Sequence, residues 1–97
     1  MIRRKTLRIG ETLQLFWQEN PELYHKMLEV RIQRLWKELL GPTIANYTKQ
    51  TYVKNRVLYV TLSSSVVRSE LLSLRKTLVE KLNTQAGAHI INDIIIR

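Results

Sequence analysis

The chain has 97 residues, of which 16 are lysine or arginine and eight are acids, for a net charge of +8. It has no cysteine, which removes disulfide frameworks and thiolate metal sites. An apolar fraction of 44% argues against disorder throughout and fits one domain over 1–97, near the small end of what supports its own core.

Residues 1–8 carry Arg3, Arg4, Lys5 and Arg8 without a hydrophobic period, and read as a basic N-terminal arm. Arg8, Glu11 and Gln14 interrupt any signal-peptide apolar stretch, and no apolar run is long enough to span a bilayer. The expectation is a soluble, cytoplasmic protein with no membrane partner. Ile9, Leu13, Phe16 and Trp17 then follow the i, i+4, i+7, i+8 spacing of a short amphipathic helix. Asn20-Pro21-Glu22 restarts the helix: asparagine as N-cap acceptor, proline at the first position, glutamate against the dipole. Leu28, Ile32, Leu35, Trp36 and Leu39 keep one apolar face until Gly41-Pro42, which is expected to end the helix.

The period next changes to two. Ala45, Tyr47, Thr51 and Val53 alternate with polar neighbours, and Leu58, Val60 and Leu62 line one side of a second run. A two-residue loop at Asn55-Arg56 would set Lys54 opposite Val57, Val53 opposite Leu58 and Tyr52 opposite Tyr59. That register puts the aliphatic residues on the core face and both tyrosines on the other. Ser63, Ser64 and Ser65 offer caps for a helix with Val67, Leu71, Leu74, Leu78 and Leu82 on its stripe, unwinding from Asn83 to Gly87. Ile90 to Ile96 reads as a strand buried on both faces or placed centrally. The order α-α-β-β-α-β implies an α+β domain with a three-stranded sheet covered by helices.

Catalytic chemistry is sparse. His25 and His89 stand far apart in the chain, and the acids are scattered singly, so no metal set is visible. Glycines at 10, 41 and 87 cannot build a phosphate loop, and the three serines lack the glycines of a nucleophile elbow. The expectation is a non-enzymatic protein with no cofactor and no small-molecule substrate.

A small basic domain usually meets a polyanion, because each neutralised phosphate releases a condensed counterion. Lys26, Arg31, Arg34 and Lys37 are interleaved with Glu29 and Glu38 and read as salt-bridged surface. Arg3, Arg4, Lys5, Arg8, Lys49, Lys54 and Arg56 lack such neutralising acids and are the candidate phosphate contacts. Tyr52 and Tyr59 form either a stacking platform for bases or a cross-strand pair covered by a helix, the second being favoured. Trp17 and Trp36 read as core, with Trp36 alternatively an anchor for a protein partner.

Trp36, Gly41, Ala45 and Thr48, then Leu58-Tyr59-Val60, Ser63-Ser64-Ser65, Glu70-Leu71, Leu82-Asn83, Gly87 and Ile91, resemble the DciA-type family of bacterial replicative-helicase operators. The resemblance runs from about Arg3 to Arg97. It implies a KH-like fold, binding to single-stranded or forked DNA, and assistance in loading the replicative DNA helicase; if Trp36 is the partner anchor, the helicase is then the partner it would contact. Val66-Val67 stands where many relatives have a tryptophan, and the G-x-x-G clamp of true KH domains is absent. The alternatives are an RNA-binding protein using the same basic surface, and a protein-interaction adaptor with incidental charge.

Overall fold

The computed structural model describes residues 9–97, with side chains from residue 12 onward. The arm residues Arg3, Arg4, Lys5 and Arg8 lie outside the described residues. Helix α1 spans Ile9–Glu19, and α2 spans Pro21–Tyr47. A hairpin of β1 (Thr48–Lys54) and β2 (Val57–Leu62) follows, then α3 (Ser65–Leu72), α4 (Arg75–Ala86) and β3 (Asp93–Ile96). The sheet order is β1-β2-β3, with β1 antiparallel and β3 parallel to β2. This is the expected α+β class with three strands, and it contains one more helix than the periodicity indicates.

Local chemistry explains where the boundaries fall. Asn20 does not cap α2; its side-chain amide donates to the Phe16 carbonyl (2.8 Å) and so closes α1. An asparagine between two helices can satisfy either orphan end, and here the carbonyl end takes it. Gly41 breaks α2 with φ 87° and ψ 174°, a conformation costly for any residue with a Cβ. The helix nevertheless resumes from Pro42, a residue suited to a first helical turn, and ends only at Tyr47. Ala45 and Tyr47 are therefore helical rather than part of the strand expected there.

The single helix read from Val67 to Leu82 is two. Ser73 turns its hydroxyl back onto the Glu70 carbonyl (2.8 Å), and the Leu74 amide reaches Leu71 rather than a residue four back (3.0 Å). Such back-bonding competes with the helix ladder, and Leu74 is left exposed. Ser64 is the cap that forms, accepting from the Val67 amide (3.3 Å). Gly87, at φ 79°, ends α4 in the left-handed conformation, so the helix holds through Ala86 instead of unwinding from Asn83.

The core lies between one sheet face and the helices. Leu28, Ile32 and Trp36, spaced by four on α2, meet Leu58, Val60 and Leu62 of β2 and Leu78, Leu82 and Ala86 of α4. Leu35 and Leu39 are only half-buried and pack against this cluster from its margin. Burying each large aliphatic side chain contributes about 1.5–3 kcal/mol, so β2 is the centre of stability as well as of the sheet. The final strand was expected to be central or buried on both faces. It is instead a short edge strand in which Ile94 and Ile96 are buried and Ile95 is 38% exposed. Ile90 and Ile91 are buried too, but in the preceding loop. The Asn83 side chain holds that loop by accepting from both of their amides and donating to the Ile91 carbonyl.

Candidate nucleic-acid interface

Asn55 and Arg56 form the hairpin turn with φ of 53° and 63°, the left-handed pair that matches the twist of the flanking strands. Arginine is a costly choice there, by about 1–2 kcal/mol. Two hydrogen bonds hold it: Arg56 Nη2 donates to the His89 carbonyl (2.7 Å), and the Arg56 carbonyl accepts from the Asn92 amide (2.7 Å). The register is the expected one, with Lys54 opposite Val57, Val53 opposite Leu58 and Tyr52 opposite Tyr59. A bulge between Thr48 and Gln50 accommodates Lys49, whose charge breaks the alternation.

Because strand side chains alternate, the register decides what the outer sheet face carries. Leu58, Val60 and Leu62 turn to the helices, so Tyr59 turns away from them, with Tyr52 beside it on β1 and Ile95 beside it on β3. The tyrosine rings stack nearly parallel, 4.7 Å between centroids and 8° apart. Arg97, beyond the end of β3, places its guanidinium 5.2 Å from the Tyr59 ring centroid and 6.0 Å from that of Tyr52. It also donates to the Tyr52 hydroxyl (2.7 Å). The cross-strand pair expected between the tyrosines is present, but on the face opposite the helices rather than under one. Lys54 shares that face with Tyr52.

The structure thus gathers Tyr52, Tyr59 and Lys54 on one surface and adds Arg97, which sequence reasoning missed. Its place depends on the parallel pairing of β3 with β2, set by a crossover no local pattern describes. The isoleucine spacing, two residues before Arg97, was the available signal. Lys49 and Arg56 are exposed at the opposite end of β1 and at the turn. Among the described residues none of Lys49, Lys54 and Arg56 is in an ion pair. On α2, by contrast, Lys26 lies 4.0 Å from Glu29 and Arg34 lies 3.7 Å from Glu38, as the interleaved charges imply. Arg31 donates to the Ala86 carbonyl (3.1 Å) and ties α2 to the end of α4.

Trp36 is fully buried, and its Nε1 donates to Thr48 Oγ1 (3.2 Å), which in turn donates to the Ile44 carbonyl (2.8 Å). A ring with no exposed surface fastens the kinked end of α2 to β1, which is the core position favoured for Trp36 over a partner contact. Trp17 is half-buried instead of core, packed on Phe16 (centroids 5.0 Å apart) and Tyr24 (5.8 Å). Among the described residues no helix is long and apolar enough to cross a membrane, and no group of three or more metal-ligating side chains forms.

Fold and surface together define a small basic α+β domain with an open, aromatic sheet face. The chain belongs to the DciA family, "Dna[CI] antecedent, DciA", whose model matches residues 8–96. That family is linked to DNA replication. No curated protein and no solved structure matches the chain.

Proposed function

We propose that this protein is a non-enzymatic, cytoplasmic DNA-replication factor that binds single-stranded or forked DNA and assists loading of the replicative DNA helicase. The observation that carries the reading is the outer sheet face, where stacked Tyr52 and Tyr59 lie beside the cations of Lys54 and Arg97. Bases stack on aromatic faces whatever their identity, and cations beside the rings follow the backbone. Lys49, Arg56 and the arm residues Arg3, Arg4, Lys5 and Arg8 extend the positive charge available to phosphates. Membership in a family linked to replication supports DNA over RNA, and supports the replicative helicase as the protein partner.

Capture from cell extract on the immobilised protein, with and without nuclease, tests this reading. Helicase retained after nuclease treatment is the expected result. Retention of ribosomal proteins that RNase releases would assign the basic surface to RNA. Purified protein should also bind single-stranded oligonucleotides with log affinity falling linearly in log salt. Absence of binding at low salt would refute the nucleic-acid half of the proposal.

A further inference from the structure

We infer that the cleft between the start of α2, the hairpin tip and the 87–92 loop is a pocket for one unstacked base, with guanine preferred. The inference rests on the DNA-binding reading above and adds a base-selective site that lies apart from the tyrosine face. His25 and His89, 64 positions apart by subtraction of their numbers, line this cleft together with Leu28, Glu29, Arg56 and Ile90, around a cavity of about 240 Å³. Drug-sized ligands occupy pockets of about 300–1,000 Å³, so this one suits a single ring system.

The lining selects among ligands. Leu28 and Ile90 offer apolar surface for the faces of a ring. Glu29 argues against a phosphate inside the cavity, since its carboxylate would repel an anion. Its contact with Lys26 is long, 4.0 Å, and the Lys26 side chain is 76% exposed, which leaves the carboxylate oxygens free to accept from a ligand. Guanine alone among the DNA bases presents two adjacent donors, N1–H and N2–H, on its pairing edge, and these match the two oxygens of a carboxylate. Adenine and cytosine present a single amino group there. Thymine sets its one N–H between two carbonyls that a carboxylate repels. Arg56 spends Nη2 on the His89 carbonyl, and its remaining donors are available to the phosphate of the same nucleotide.

The walls are held in place before any ligand arrives. Asn83 fixes the backbone of Ile90 and Ile91, the Asn92 amide bonds the Arg56 carbonyl, and His89 Nε2 lies 2.8 Å from Asn92 Oδ1, leaving Nδ1 for a ligand. A preformed site loses less to ordering on binding.

Titration with deoxyguanosine monophosphate and with thymidine monophosphate, followed by NMR of the His25 and His89 rings, tests the pocket without any oligonucleotide. Deoxyguanosine monophosphate should move both ring signals and bind about tenfold or more tightly than the thymidine compound, the scale of one bidentate base contact. Glu29→Gln should erase most of that preference and leave the circular-dichroism spectrum unchanged. Equal affinity for the two nucleotides, or ring signals that do not move, would overturn the inference. Binding to a thymine-only oligonucleotide separates the two ideas. A protein that binds it but shows no guanine preference loses the pocket alone. A protein that binds no oligonucleotide loses the DNA-binding reading, and the mononucleotide titration still decides the cleft.

Discussion

The two faces of β2 are built from alternate residues of the same six-residue strand, yet they meet opposite environments. Leu58, Val60 and Leu62 are buried against α2 and α4, whereas Val57, Tyr59 and Thr61 are only half-buried. The inner face is apolar throughout, and no polar side chain is fully buried among the described residues. The outer face carries stacked rings with the Arg97 guanidinium beside them, 5.2 Å from the Tyr59 centroid. Strand alternation therefore lets one segment anchor the fold and carry the proposed binding surface, and mutations on the two faces should separate stability from any binding there.

The largest effect is expected from Trp36→Ala. It removes a fully buried ring and its hydrogen bond to Thr48, and should cost about 3–5 kcal/mol in urea unfolding. A variant that folds with an unchanged midpoint would mean the ring is not part of the inner core. Leu58→Ala, on the inner face of β2, should cost about 2–5 kcal/mol and lower DNA affinity only in proportion to the unfolded fraction. Tyr59→Ala sharpens the comparison from the other side. Loss of the stacked pair should reduce stability by about 0.5–1.5 kcal/mol, while single-strand affinity falls by about 1–3 kcal/mol. Equal DNA affinity for the Tyr59→Ala and wild-type proteins would reassign that face to stability alone.

Lys54→Gln should produce the smallest change. Its exposed side chain should leave stability within about 0.5 kcal/mol, and the log–log salt slope for single strands should lose about 0.7. An unaltered slope would remove Lys54 from the contact surface and leave Lys49, Arg56, Arg97 and the arm to carry the charge.

Much of the framework was legible in the residues. The hairpin register followed from an asparagine in the two-residue turn and from period-two runs, and the structure has the same pairs. α1 and the start of α2 followed from apolar spacing and the proline. The breaks were harder to see. The stripe from Val67 to Leu82 is continuous on a helical wheel, and only the Ser73 back-bond and the exposure of Leu74 reveal that it belongs to two helices. The isoleucines from 90 to 96 were equally misleading, because burial in a loop and burial in a strand leave the same residues in the chain.

Of the candidate interface, Lys54, Tyr52 and Tyr59 were found from the sequence because a tight hairpin relates them through neighbouring residues. Arg97 was not, and neither was the approach of His25 to His89. Composition set the excess of positive charge, and local patterns along the chain determined the α+β class and the hairpin. Only the tertiary structure decided which strand is central, that Trp17 is half-buried where Trp36 is sealed inside, and that Arg97 lies beside the tyrosines. The reason is physical. Turn geometry and hydrophobic period act over a few residues, whereas the parallel pairing of β3 with β2 requires the chain to cross over through α3 and α4.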